Sequence, residues 1–109
     1  MRILLVDDEP SLVSLLGQFL TRNGHEVQSA GTKADAIVLL SKPDESFDAA
    51  VIDLTLPDGT GEEVAKEFAL QHPAARIVIA TGYDYSAPSE AWTVLQKPFL
   101  PRALLNILG

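Results

Sequence analysis

Short apolar runs alternate along this chain with segments of helical periodicity, and that alternation limits the fold more than any single residue does. The runs recur near residues 3, 27, 49, 77 and 94. Four of them are Ile3-Leu4-Leu5-Val6, Ala49-Ala50-Val51-Ile52, Ile77-Val78-Ile79-Ala80 and Thr93-Val94-Leu95-Gln96. The runs at 49–52 and 77–80 are apolar almost throughout, as strands covered on both faces require. Between the runs, Leu12, Leu15, Leu16, Phe19 and Leu20 follow the i, i+3, i+4, i+7, i+8 spacing of an amphipathic helix. Pro10 and Ser11 suit its first turn and Asn23-Gly24 its end. Thr32-Lys33-Ala34-Asp35 reads as a capping-box variant opening a helix through Ile37 and Leu40, with Pro43 marking its end. Gly61 precedes Glu62 and Glu63, whose charges suit a helix N-terminus. Val64, Ala65 and Phe68 give that helix an apolar face, and His72-Pro73 stops it. Pro101 begins a last helix with Leu104, Leu105 and Leu108 inward.

Strands alternating with helices imply a parallel sheet covered on both sides. Right-handed crossovers restrict the order of its strands. The expected fold is α/β: a flavodoxin-like, doubly wound sheet of five parallel strands in the order 2-1-3-4-5. No linker, repeat or second domain shows in residues 1–109, a length that suits one domain. One crossover is abnormal. The first three strand-to-strand intervals exceed twenty residues, but far fewer separate Ala80 from Thr93. Residues 81–92 contain Gly82 and Pro88 and little helical periodicity, so the fourth helix should be short or irregular.

Composition excludes several classes. The formal net charge of −7 argues against direct nucleic-acid binding, which is driven by phosphate neutralisation. There is no Cys, so disulfides and thiolate metal sites are out. His25 and His72 are too isolated for metal-ligand spacing and read as helix-end or loop residues. No apolar run approaches the roughly 20 residues of a membrane span. The chain opens directly on a strand without a signal peptide, which makes the cytoplasm the default location.

In an open α/β sheet the strand C-termini meet at one edge, where ligands bind. Asp7, Asp8, Asp53, Thr81 and Lys97 each follow an apolar run and should meet there. Two adjacent carboxylates at Asp7-Asp8 repel each other, and a hard divalent cation such as Mg²⁺ relieves that; they serve equally as the acidic start of a helix. Asp53 can be a third ligand or a nucleophile that forms an aspartyl phosphate. A turn-initiating role suits it less, because Asp58-Gly59 fills that role better. Thr81 can donate to a phosphoryl oxygen or serve as a cap. The Lys97 ammonium can pair with a carboxylate and then with a phosphoryl group, or lie at the surface.

Taken together, the acidic pair, Asp, Thr and Lys fall on strands one, three, four and five. The segments Ile3–Glu9, Val51–Gly61, Ala80-Thr81-Gly82 and Lys97-Pro98-Phe99 resemble the CheY-like receiver domain of bacterial two-component response regulators. The resemblance implies that Asp53 accepts the phosphoryl group. It implies that Asp8 binds Mg²⁺ directly, Asp7 partly through water, and that the Thr55 backbone carbonyl completes the ligands with Asp53. Thr81 and Lys97 would contact phosphoryl oxygens, and Lys97-Pro98 is a candidate cis peptide. It implies a sensor histidine kinase or histidine phosphotransfer protein as donor. Such a domain catalyses only its own phosphorylation and slow dephosphorylation. A downstream target would dock through the face formed by residues 83–108, and the resemblance leaves open a phosphorylation-dependent homodimer there. With no output domain before Gly109, the chain is either a single-domain regulator or part of a larger protein.

Two features depart from the family. Receivers carry Tyr or Phe three residues before the Lys, and here that residue is Val94; Trp92 is nearby at a different offset. The short fourth crossover with Ala80-Thr81-Gly82-Tyr83 is similar to the Phe-Ala-Thr-Gly-Tyr receiver subgroup, although Ile79 stands in place of its Phe. In that reading the segment from Tyr83 to Trp92 orders on phosphorylation, and Tyr83 and Thr55 gate water at the phosphoryl group. Three rival readings fit these residues less well. A haloacid-dehalogenase-like phosphatase needs an Asp where Thr55 stands. A Ca²⁺ loop over Asp53–Asp58 breaks at Pro57. A receiver-like binding module that is never phosphorylated finds its only support in Val94.

Overall fold

The computed structural model describes residues 1–43 and 46–109. Its central sheet is built from β1 (Arg2–Val6), β2 (Glu26–Ala30), β3 (Ala49–Asp53), β6 (Arg76–Thr81) and β7 (Trp92–Gln96). All pair in parallel, in the order β2-β1-β3-β6-β7, which is the expected 2-1-3-4-5. The helices are α1 (Pro10–Arg22), α2 (Lys33–Leu40), α3 (Gly61–Gln71) and α4 (Pro101–Leu108). A small antiparallel hairpin, β4 (Thr55–Leu56) with β5 (Gly59–Thr60), intervenes between β3 and α3.

Side chains alternate across a strand, and the two resulting faces build two cores. Ile3, Leu5, Val51 and Val78 pack with Leu16 and Leu20 of α1 and Leu104 and Leu108 of α4. Leu4, Val6, Ile52, Ile77 and Ile79 pack with Ala36 and Leu40 of α2 and Val64 and Phe68 of α3. Phe68 is fully buried, which is worth roughly 2–3 kcal/mol relative to exposure. Leu15 departs from the expected stripe and is 55% exposed. It precedes Leu16 by one residue, about 100° around the helix, and so turns away from the sheet. Leu105 is only half-buried beside Leu104 and Leu108.

The helix ends follow local chemistry. Gly24 takes a positive φ of 87° just past α1, the left-handed region that glycine reaches without steric cost. The Thr32 hydroxyl accepts from the Asp35 N–H at the start of α2. The start of α3 differs in detail from the sequence expectation: Gly61 lies inside the helix, and Thr60 with Glu63 forms a reciprocal capping box. His72 is the C-cap of α3 and packs edge-on against Phe47 and tilted against Phe68, while His25 lies between α1 and β2.

No helix forms between β6 and β7. Residues 82–91 cross in irregular backbone, and Tyr85 and Trp92 pack against the α2–α3 core in place of a helix. Trp92 lies within β7 and pairs with Ile77, whereas Thr81 pairs with Gln96. Four residues of strand separate those positions, roughly 13 Å at the usual rise. Trp92 is therefore not a neighbour of Thr81, and its place in β7 belongs to the core.

Candidate functional site

Parallel register brings the strand ends together. Val6 pairs with Ile52, Asp53 with Ala80, and Thr81 with Gln96. The hydrogen bonding runs one residue further. Asp7 N–H donates to the Ala30 carbonyl at 3.0 Å, Leu54 N–H to Ala80 at 3.0 Å, and Lys97 N–H to Thr81 at 2.8 Å. The loop backbones carrying the polar side chains are thus fixed where each leaves the sheet.

Asp7, Asp8 and Asp53 offer one carboxylate oxygen each within 4.8 Å of one another. Asp7 is buried, Asp53 half-buried and Asp8 exposed, so the cluster grades from core to solvent. The Glu9 N–H donates to Asp7 Oδ1 at 2.9 Å and orients that carboxylate. Lys97 Nζ lies 2.8 Å from Asp7 Oδ2 and 3.6 Å from Asp53 Oδ2. One ammonium therefore serves two carboxylates that come from separate strands.

The electrostatics follow from burial and crowding. Burial, and next the negative charge of Asp7, push the Asp53 carboxyl above its ordinary range; the Lys97 charge opposes this without cancelling it. Burial works against the Lys97 ammonium. The hydrogen bond and charge of Asp7, with the charge of Asp53, outweigh that burial and raise its pKa. An excess of anionic oxygen around one cation is the setting in which a hard divalent ion binds.

Thr81 is 1% exposed. Its hydroxyl oxygen accepts from the Tyr83 N–H at 3.0 Å, which leaves the hydroxyl proton available to a further acceptor. Thr55 is exposed at the start of β4, and its N–H lies 3.4 Å from Asp53 Oδ1. The Lys97–Pro98 peptide is cis. The structure therefore brings Asp7, Asp8, Asp53 and Lys97 together, with Thr81 at the end of β6 and Thr55 at the start of β4. A recess of about 310 Å³ lined by Phe47, His72 and Ala75 lies where β3 and β6 begin, at the opposite edge of the sheet.

Two side-chain systems beside the site escaped sequence reasoning. The Asp58 carboxylate accepts from the Lys33 and Ala34 N–H groups at 2.7 and 3.0 Å, and Lys33 Nζ donates to Glu63 at 2.7 Å. The Tyr85 hydroxyl donates to Glu62 at 2.7 Å. The Thr60-x-x-Glu63 spacing was a readable signal for the first; nothing in the sequence pairs Tyr85 with Glu62.

Known proteins are similar to this chain in sequence and in fold. RegA, the photosynthetic apparatus regulatory protein of Rhodobacter capsulatus, is 34% identical over 89 residues, which is 82% of this chain and 47% of RegA. The chain thus spans about half the length of that relative. A response regulator receiver protein of Sinorhizobium medicae superposes with a TM-score of 0.90 at 28% identity, covering 99% of this chain and 90% of that one. A response regulator of Burkholderia pseudomallei, solved with a phosphorylated aspartic acid, calcium ion and citrate, superposes at 0.85 with 26% identity, covering 99% and 66%. The family model of the response regulator receiver domain matches residues 3–109. With its sheet order and its three clustered aspartates at the strand ends, this chain belongs to the response regulator receiver domain family.

Proposed function

We propose that the chain takes a phosphoryl group onto Asp53 from a phosphohistidine of a sensor histidine kinase or phosphotransfer protein. The observation that carries this is the convergence of Asp7, Asp8 and Asp53 at the end of the sheet, with Lys97 paired to Asp7 and Asp53. An Asp53 carboxylate oxygen attacks phosphorus, the P–N bond breaks, and the imidazole leaves with the electron pair. Lys97 offsets the negative charge of the phosphoryl oxygens, and the Thr81 hydroxyl donates to one of them. In such transfers positioning and charge stabilisation do most of the catalysis. The hard oxygen donors of Asp7, Asp8, Asp53 and the Thr55 carbonyl suit Mg²⁺. When bound, the ion supplies further neutralisation of phosphoryl charge.

Beyond its own phosphorylation and dephosphorylation the domain acts as a switch that changes protein partners. Its target docks on the face formed by residues 83–108, with a phosphorylation-dependent homodimer as an alternative use of that face. The helix-free β6–β7 crossover and Ala80-Thr81-Gly82-Tyr83 support a place in the Phe-Ala-Thr-Gly-Tyr subgroup. On that reading the crossover, rather than a rotating aromatic at Val94, carries the switch. One observation favours a second reading, a binding module that is never phosphorylated: Val94 removes the family's aromatic partner for Thr81.

Incubation with acetyl phosphate and Mg²⁺, read by intact mass on wild type and Asp53→Ala, tests the proposal. A phosphoryl adduct on wild type alone is expected. No adduct on wild type from either acetyl phosphate or a phosphorylated phosphotransfer protein would leave the binding module as the better reading.

A further inference from the structure

The β4–β5 hairpin pairs two residues with two, Thr55 with Thr60 and Leu56 with Gly59. So small a ladder is marginal by itself, yet Thr55 within it lies two residues from Asp53. The hairpin is fastened at both ends. At its base, Gly61 N–H donates to the Leu54 carbonyl at 2.7 Å. Glu63 Oε1 accepts from the Thr60 N–H at 3.0 Å and the Thr60 hydroxyl at 3.1 Å. At its tip, Asp58 accepts both N–H groups from Lys33 and Ala34, the first two residues of α2. Lys33 closes the ring by donating its ammonium to Glu63 Oε2 at 2.7 Å.

Helix capping accounts for the Asp58 contacts with the α2 amides but not for the ammonium link from Lys33 to Glu63. The Thr32 hydroxyl already caps α2 locally at Asp35, and Asp58 arrives from 25 residues away to engage the Lys33 amide. The Lys33 methylenes lie on Gly59, where an added Cβ would sit 2.7 Å from Lys33 Cδ. An isolated exposed ion pair contributes little. This one belongs to a closed circuit that runs from Asp58 through Lys33 and Glu63 to Thr60, the ladder partner of Thr55.

We propose that Asp58, Lys33 and Glu63 are positioning residues for the cation site, clamping the β4–β5 hairpin so that the Thr55 backbone is fixed beside Asp53. The inference rests on the Mg²⁺ reading given above. Groups that orient ligands govern metal affinity without touching the metal. Asp58 and Lys33 thereby make α2, which supplies no group to the site, a determinant of Mg²⁺ affinity.

Calorimetric titration with Mg²⁺ of the unphosphorylated protein tests this, on wild type, Asp58→Ala, Asp58→Asn, Lys33→Met and the remote Glu26→Gln. Asp58→Ala should raise the Mg²⁺ Kd about tenfold, at the lower end of effects seen for groups that orient metal ligands. Asp58→Asn, which keeps one acceptor oxygen, should fall between it and wild type, and Glu26→Gln should bind as wild type does. A merely structural role would lower the melting temperature of the variants and leave Kd unmoved. Wild-type Kd in both Asp58→Ala and Lys33→Met would overturn the inference. Should Asp58→Ala not fold, Asp58→Asn and Lys33→Met decide by the same criterion. If wild type itself binds no Mg²⁺, the cation reading has failed and the clamp's role falls with it; binding by wild type with unmoved variants sinks the clamp alone.

Discussion

The β3–α3 connection and the β6–β7 connection border the same carboxylates but are built by opposite means. The first is short, paired into a hairpin and tied to two helices by Asp58, Lys33, Thr60 and Glu63. The second runs from Gly82 to Ala91 without a helix. Its one side-chain tie across to a helix, among the described residues, is the hydroxyl of Tyr85 on Glu62, helped by the packing of Tyr85 and Trp92 on the α2–α3 core. Opening free energy tracks buried contacts and protected hydrogen bonds. The comparison therefore assigns fixed geometry to the side of the site that carries Asp53 and Thr55. The side that follows Thr81 is held by fewer such ties among the described residues.

Gly61 puts the sharpest strain on that contrast. A Cβ on Gly61 would lie 2.1 Å from the Asp53 carbonyl oxygen and 2.9 Å from Ile52 Cγ2. Backbone cannot yield as a side-chain tip can, so Gly61→Ala should destabilise by roughly 3 kcal/mol in urea unfolding. A near-wild-type midpoint would mean that the hairpin base is looser than its geometry implies.

The acid limb of stability is the next largest effect. The hydrogen bond from Lys33, then those from Thr60, hold the Glu63 carboxyl down to about 2 from its ordinary 4.5. A carboxyl depressed by folding contributes stability that is present above its unfolded pKa and lost as pH falls through the folded one. Thermal melts between pH 5 and about 2 should therefore fall less steeply in Glu63→Gln than in wild type. Solvent screening at this exposed carboxylate keeps the difference shallow. Parallel wild-type and variant curves would show that the clamp has no electrostatic share.

On the other connection the effects should be smaller. Tyr85→Phe keeps the ring and removes only the hydroxyl, so the melting temperature should drop slightly, while amide exchange across residues 82–91 should quicken. Unchanged exchange there would mean that packing alone holds the crossover. Smallest is Gly82→Ala, where nothing lies within 4 Å of an added Cβ. Restricting the unfolded chain should stabilise by about 0.5 kcal/mol; a loss comparable to that of Gly61→Ala would erase the contrast between the two connections.

Much of this molecule was legible before any coordinates. Short apolar runs with polar ends located the strands most plainly in β1, β3 and β6, because a doubly covered strand tolerates almost nothing else, whereas β2 and β7 are partly exposed edges. The spacing of Asp7, Asp8, Asp53, Thr81 and Lys97 relative to those runs named the residues of the candidate site. The shortage of residues between Ala80 and Thr93 pointed to a short or irregular fourth helix, and the structure forms none there. Leu15 was misplaced because periodicity defines an arc of the helix, and only its neighbours decide where that arc ends. Trp92 stood near Val94 at a different offset, and the register of β7 on β6 sets it a strand's length from Thr81.

The sequence by itself thus determined what is local: which segments are strands or helices, and which residue types stand at strand ends. The physical reason is that period, capping and burial act within a few residues of chain. Tertiary structure alone decided that the Lys97 ammonium would lie 2.8 Å from Asp7 and 3.6 Å from Asp53, that Asp58 would reach the amides of α2, and that Tyr85 would meet Glu62. Those contacts join residues 23 to 90 positions apart, and their partners are chosen by the packing of helices on the sheet, which no local pattern encodes.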